Sequence, residues 1–150
     1  MRWLLLLLAL AAAAPAVELP ASGTTTAGAT QAIDPVGRRR PVVVVFWASW
    51  CAACQREMPA LRRFTAAAGE RVDVVSCSID TDADAARAAT TRHELNYPVI
   101  LDGGMAIADR FTVEGTPTLV LLGADGAEVA RGSSLAQLGP ALGRLGLAVQ

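Results

Sequence analysis

Cys51 and Cys54 enclose only Ala52-Ala53, a spacing that lets two thiols close into a disulfide or act in turn on another one. The apolar run Pro41 to Trp47 precedes them. Gln55-Arg56-Glu57-Met58-Pro59-Ala60-Leu61-Arg62-Arg63-Phe64 follows, with Met58, Leu61 and Phe64 at helical intervals. A strand-to-helix junction here puts Cys51 at a helix N-terminus, where unpaired N–H groups and the helix dipole favour an anionic sulfur. Thiolate is the form that attacks disulfides, so Cys51 is the expected nucleophile and Cys54 the thiol that resolves the mixed disulfide. Glu57, one turn beyond Cys54, is expected to lie beneath the cysteines and exchange a proton with the resolving thiol. Trp50 at the lip of Cys51 suits a shield and partner contact, whereas Trp47 reads as core.

Two plainer readings of the cysteine pair are weak. A zinc half-site needs two more ligands, and the chain offers only Cys77 and its single histidine, His93. Cys77 stands in the apolar stretch Val74-Val75-Ser76-Cys77-Ser78-Ile79 and reads as a small buried hydrophobe. His93 stands near a helix end without an identifiable partner and is expected to face solvent. A purely structural disulfide closing so short a loop contributes little chain-entropy stabilisation. No metal or organic cofactor is expected.

Strand and helix alternate along the chain around these residues. Val42 to Trp47 is a continuous β-branched and aromatic run, suited to a central strand covered on both faces. A helix from Cys51 to about Ala68 follows, with Pro59 expected to kink it. Val72 to Ile79 is a second buried strand, and Asp80, Thr81 and Asp82 offer N-caps for a helix to about His93. Pro98 to Leu101 reads as a short strand, Asp102-Gly103-Gly104 as a turn and Met105 to Phe111 as a short helix. Thr118 to Leu122 and Glu128 to Arg131 form a hairpin around Gly123-Ala124-Asp125-Gly126, and Ser134 caps a last helix to about Leu145. This order predicts an α/β domain around a central mixed sheet.

Length and charge set the bounds. With 150 residues the chain suits one domain with a real core, and a formal net charge of −1 gives no reason to expect nucleic-acid binding. Every basic residue is arginine, and Arg38-Arg39-Arg40 reads as a solvated turn before the first core strand. Met1-Arg2, the apolar stretch Trp3 to Ala14 and the small residues Ala14-Pro15-Ala16 form a leader, residues 1–16, with cleavage expected after Ala16. An uncleaved membrane anchor is the alternative. Export would place the pair in an oxidising compartment, a periplasm or the cell exterior. Residues 17–37, rich in Ala, Thr and Gly, read as a linker or loosely held N-terminal strand, leaving 38–150 as the folded domain.

From about Arg40 to Leu145 the chain resembles the exported thiol–disulfide oxidoreductases of the TlpA/ResA type, redoxins of the thioredoxin fold. The resemblance is carried by four segments. Phe46-Trp47-Ala48-Ser49-Trp50-Cys51-Ala52-Ala53-Cys54 is the first, and Glu57-Met58-Pro59 continues it. Gly115-Thr116-Pro117-Thr118 stands ahead of a strand, and Asn96-Tyr97-Pro98-Val99-Ile100-Leu101-Asp102 resembles the end of this subgroup's extra αβ insertion. The resemblance implies a central mixed sheet flanked by helices, with that insertion between the C-x-x-C helix and the second half. It implies a cis-Pro117 packed against the disulfide and a Thr116 backbone that pairs with an extended partner segment. It strengthens the role of Glu57, since Val45 occupies the position where cytosolic thioredoxins carry a buried aspartate. It also implies a protein that reduces disulfides of other exported proteins, such as apocytochrome c, fed by a membrane thiol reductase; a monomer is expected. A periplasmic disulfide oxidase shares every motif and differs in redox poise, so the Ala52-Ala53 pair leaves the direction of electron flow open. A copper-binding metallochaperone on this fold would want wider cysteine spacing and a nearby histidine. A peroxidase would want Thr three residues before its cysteine, where this chain has Ala48.

Overall fold

A computed structural model describes residues 16–149. Its centre is β3 (Val42–Trp47), whose six residues are all buried because both faces of the strand are covered. The pleat sends alternate side chains to opposite faces. Val43, Val45 and Trp47 join one apolar cluster with Leu61, Phe64, Leu138 and Leu142. Val42, Val44 and Phe46 join a second with Ile33, Ile107 and Phe111, and the Phe46 and Phe111 rings lie 5.2 Å apart.

In chain order the elements are β1 (Ala21–Thr24), β2 (Thr30–Ile33), α1 (Pro35–Arg38), β3, α2 (Ala52–Ala68), β4 (Asp73–Ser78), α3 (Ala83–Arg92), β5 (Val99–Leu101), α4 (Ala106–Arg110), β6 (Thr118–Leu122), β7 (Glu128–Gly132) and α5 (Leu135–Arg144). The five-stranded sheet runs β5-β4-β3-β6-β7. β3 is parallel to β4 and antiparallel to β6, so the sheet is mixed as expected. β4, α3, β5 and α4 intervene between α2 and Thr116-Pro117. The amphipathic helices α2 and α5 cover the first face, burying Met58, Leu61 and Phe64 from one and Leu135, Leu138 and Leu142 from the other. α4 covers the second face through Ile107 and Ala108. Helix α2 runs unbroken through Pro59, which is exposed.

Residues 17–37 differ from the linker or loose strand that composition suggests. β1 and β2 pair antiparallel, from Ala21 opposite Ile33 to Thr24 opposite Thr30, and Ala21 and Ile33 are buried in the second cluster. The hairpin docks closely because Gly23 has no side chain: a Cβ there would stand 2.5 Å from Ile100 Cγ2. Arg38 and Arg40 both pair with Asp73, which ties the arginine turn to the start of β4. The leader expectation falls on residues 1–15, outside the described residues but for Ala16. Among the described residues no helix is long and apolar enough to cross a membrane.

Candidate active site

β3 ends at Trp47, and the chain turns through Ala48-Ser49-Trp50 before α2 begins. Trp47 is core, with its indole N–H donated to Ser76 Oγ at 3.2 Å. Cys51 is the N-cap of α2, and its Sγ accepts the Cys54 backbone N–H at 3.1 Å. A sulfur in that place takes up one of the donors that a helix start leaves unpaired, and anionic sulfur takes it up best. Cys51 and Cys54 are joined as a disulfide with Cα atoms 5.2 Å apart, and both residues are largely buried. Trp50, by contrast, is 70% exposed, an apolar surface next in the chain to Cys51.

The Thr116–Pro117 peptide is cis. Pro117, Cys54, Glu57, Tyr97, Val45 and Trp47 bound one narrow crevice, so the second cysteine, the carboxylate and the cis-proline share a boundary. Burial pushes the Tyr97 hydroxyl well above its ordinary range, with Arg62 opposing, so Tyr97 stands neutral beside that crevice. Glu57 is half-buried, and its Oε2 accepts the Leu135 backbone N–H at 3.0 Å. The carboxylate thus caps the first turn of α5 while lying next to Cys54. From Thr116 and Pro117 an open groove of about 1020 Å³ runs along the β7 edge past Glu128 and Arg131, with Ala16 and Val17 on its wall.

The six site residues expected from sequence therefore fall around one end of the sheet. Cys77 does not join them. It lies on the opposite face of the sheet, fully buried in the second cluster, and burial, with Asp102 nearby, pushes its thiol far up. His93 differs from the solvent-facing reading: it is half-buried, and its Nε2 is enclosed without a hydrogen-bond partner. Among the described residues, no group of three or more His, Cys, Asp or Glu side chains converges to hold a metal ion.

Asp80 was legible only as a helix-cap candidate, and the cap is Asp82, which accepts the Asp84 N–H at 2.9 Å. Asp80 instead turns into the fold and accepts from Ser49 and Ser78. An acidic residue at the end of β4, beside the strand that leads to the cysteines, is the signal that could have flagged it.

A mixed sheet with a C-x-x-C disulfide at a helix start, facing a cis-proline, defines a thioredoxin-like fold. Residues 10–134 match the Redoxin family model, and the chain belongs to the redoxin family. It is 29% identical over 89 residues to the thiol-disulfide oxidoreductase ResA of Bacillus cereus, a match covering 59% of this chain and 51% of that protein. The chain thus spans about half the length of that relative. It is 32% identical over 98 residues to a thioredoxin of Mycolicibacterium smegmatis, covering 65% and 69% of the two chains. Among solved structures, a secreted Mycobacterium tuberculosis disulfide oxidoreductase homologous to Escherichia coli DsbE superposes with a TM-score of 0.71 at 25% identity, over 85% of this chain and 95% of that one.

Proposed function

We propose that this chain is an exported thiol–disulfide oxidoreductase that reduces disulfides of other exported proteins through a Cys51/Cys54 cycle. The observation that carries the reading is the Cys51–Cys54 disulfide at the start of α2, with Cys51 Sγ accepting the Cys54 N–H. In the dithiol form that N–H stabilises a Cys51 thiolate. The thiolate attacks one sulfur of a partner disulfide, forming a mixed disulfide and releasing the other sulfur as a thiolate that takes up a proton. Cys54 loses its proton to Glu57 and attacks Cys51 Sγ, which frees the partner's second thiol and leaves Cys51 and Cys54 oxidised. The partner gains two electrons and two protons, and a membrane thiol reductase returns them to the pair.

Trp50 and the Thr116-Pro117 segment form the docking rim, with the Thr116 backbone pairing with an extended partner segment such as the cysteine motif of apocytochrome c. Export through residues 1–16 is consistent with similarity to a protein described as secreted. Residues 38–150 carry the catalytic domain, and the hairpin before them packs onto it. Catalysed reduction of insulin disulfides tests the reading. Wild-type chain, re-reduced by dithiothreitol, should accelerate insulin precipitation, Cys51→Ser should abolish it, and Cys54→Ser should accumulate a mixed disulfide. Full activity in either serine variant would overturn the mechanism.

A further inference from the structure

The turn that delivers Cys51 is held by a buried carboxylate. Asp80 is 5% exposed, and three donors converge on it: the Ser49 backbone N–H at 2.9 Å, the Ser49 hydroxyl at 2.7 Å and the Ser78 hydroxyl at 2.6 Å. The Ser49 peptide is gripped from its other side as well, because the Gln55 side-chain amide donates to the Ser49 carbonyl at 2.9 Å. The Asp80 segment is itself fixed. Ile79 N–H donates to the Trp47 carbonyl at 2.9 Å, and Gly103 packs so near that a Cβ would stand 2.6 Å from the Asp80 carbonyl oxygen. All three groups donate to the carboxylate, whose oxygens accept. None is a cation, and no ion pair among the described residues includes Asp80. That buried carboxylate is bonded to the residue two places before Cys51, and buried charges interact with less screening than exposed ones.

We propose that Asp80 is a positioning residue for Cys51: it locks the Ala48-Ser49-Trp50 turn and supplies a buried negative charge that opposes the α2 N-terminus, shifting the cysteine pair towards the reducing end of its range. The proposal deepens the reductant reading and rests on it. Like charge disfavours the Cys51 thiolate, so the dithiol form is destabilised relative to the disulfide, and the dithiol gives up electrons more readily. The helix start alone would push the other way.

The test uses the full chain and two substitutions of similar shape. Asp80→Asn keeps an oxygen for the Ser49 N–H but removes the charge. Ser78→Ala keeps the charge but removes its shortest hydrogen bond. Glutathione redox titration should show the Asp80→Asn dithiol favoured about fivefold over wild type, a potential about 20 mV more oxidising. Iodoacetamide labelling of Cys51 in the reduced protein at pH 6 should be about fivefold faster in Asp80→Asn and about twofold slower in Ser78→Ala, following the thiolate fraction. If Asp80→Asn does not fold, the slowing in Ser78→Ala still decides the matter. A role confined to folding predicts lower melting temperatures with unchanged potential and labelling, and that result overturns the proposal. The wild-type potential in the same titration tests the reductant reading separately. A wild-type value at the oxidising end with the Asp80→Asn shift intact would refute that reading and leave the role of Asp80 standing.

Discussion

Glu57 is asked to do two things, and substitution can separate them. Its Oε2 caps α5 by accepting the Leu135 N–H at 3.0 Å, and the same carboxylate borders the crevice beside Cys54. Glu57→Gln keeps a carbonyl oxygen at the cap and loses the proton-accepting group. Glu57→Ala loses both and leaves a part-buried N–H without its partner. An unmade hydrogen bond of that kind costs about 1–3 kcal/mol. At about 2–4 °C per kcal/mol for a chain of this size, Glu57→Ala should melt several degrees below wild type and Glu57→Gln close to it. Resolution of the mixed disulfide should slow in both variants by about 10²-fold or more, the usual worth of positioned proton transfer. The assay is stopped-flow formation and decay of a mixed disulfide with a peptide carrying a fluorescent disulfide, beside thermal melts of each variant. Attack by Cys51, the first phase, should stay near the wild-type rate. Wild-type decay of the mixed disulfide in Glu57→Gln would refute the proton-transfer argument. Equal melting temperatures for the two variants would refute the cap.

Three further outcomes follow from burial and exposure. Trp50→Ala, at a site 70% exposed, should leave the melting temperature unchanged but slow reduction of a protein disulfide several-fold while sparing a small one such as hydroxyethyl disulfide. Equal slowing of both would contradict a docking role. Burial raises the Cys77 thiol, so the native state holds that proton more tightly than the unfolded chain does. Its stabilising contribution is complete below the ordinary thiol value of about 8.5 and declines above it, by up to about 1.4 kcal/mol per pH unit. Urea unfolding between pH 7 and 10 should show that alkaline decline shrink in Cys77→Ala, and redox activity should be unchanged. Ile33→Ala, at the fully buried end of β2 in the N-terminal hairpin, should cost about 2–5 kcal/mol in urea unfolding, whereas a loosely held segment would give no measurable loss.

What the sequence made legible follows from the range of the interactions. β3 is visible because a strand buried on both faces must be apolar throughout, and Val42 to Trp47 is. Cys51, Cys54 and Glu57 are visible because their relation is local, within the first turns of one helix. The N-terminal hairpin was hidden because Ser22, Gly23, Thr24, Thr30, Gln31 and Ala32 are small or polar, and only Ile33 is a large apolar anchor. Its fit depends on the absence of a Cβ at Gly23 against Ile100, a contact no periodicity reveals. Asp80 and Glu57 share the same difficulty at longer reach. Asp80 meets Ser49 across 31 residues of chain and Glu57 meets Leu135 across 78. Local spacing suggested a cap for the first and a place beneath the cysteines for the second, and the fold gave each a distant partner as well. His93 was misread for a related reason, because helix-end position says nothing of the neighbours that enclose its Nε2.

The reduction potential of the Cys51/Cys54 couple in the full chain decides whether this protein is a reductant. Equilibration against glutathione or dithiothreitol, followed by alkylation and mass analysis, gives it. A protein that reduces exported partners should lie near or below about −270 mV, the range of thioredoxin. A value near about −120 mV, that of a strong periplasmic oxidant, would reverse the direction of electron flow, and the absence of a reversible two-electron couple would contradict the oxidoreductase altogether.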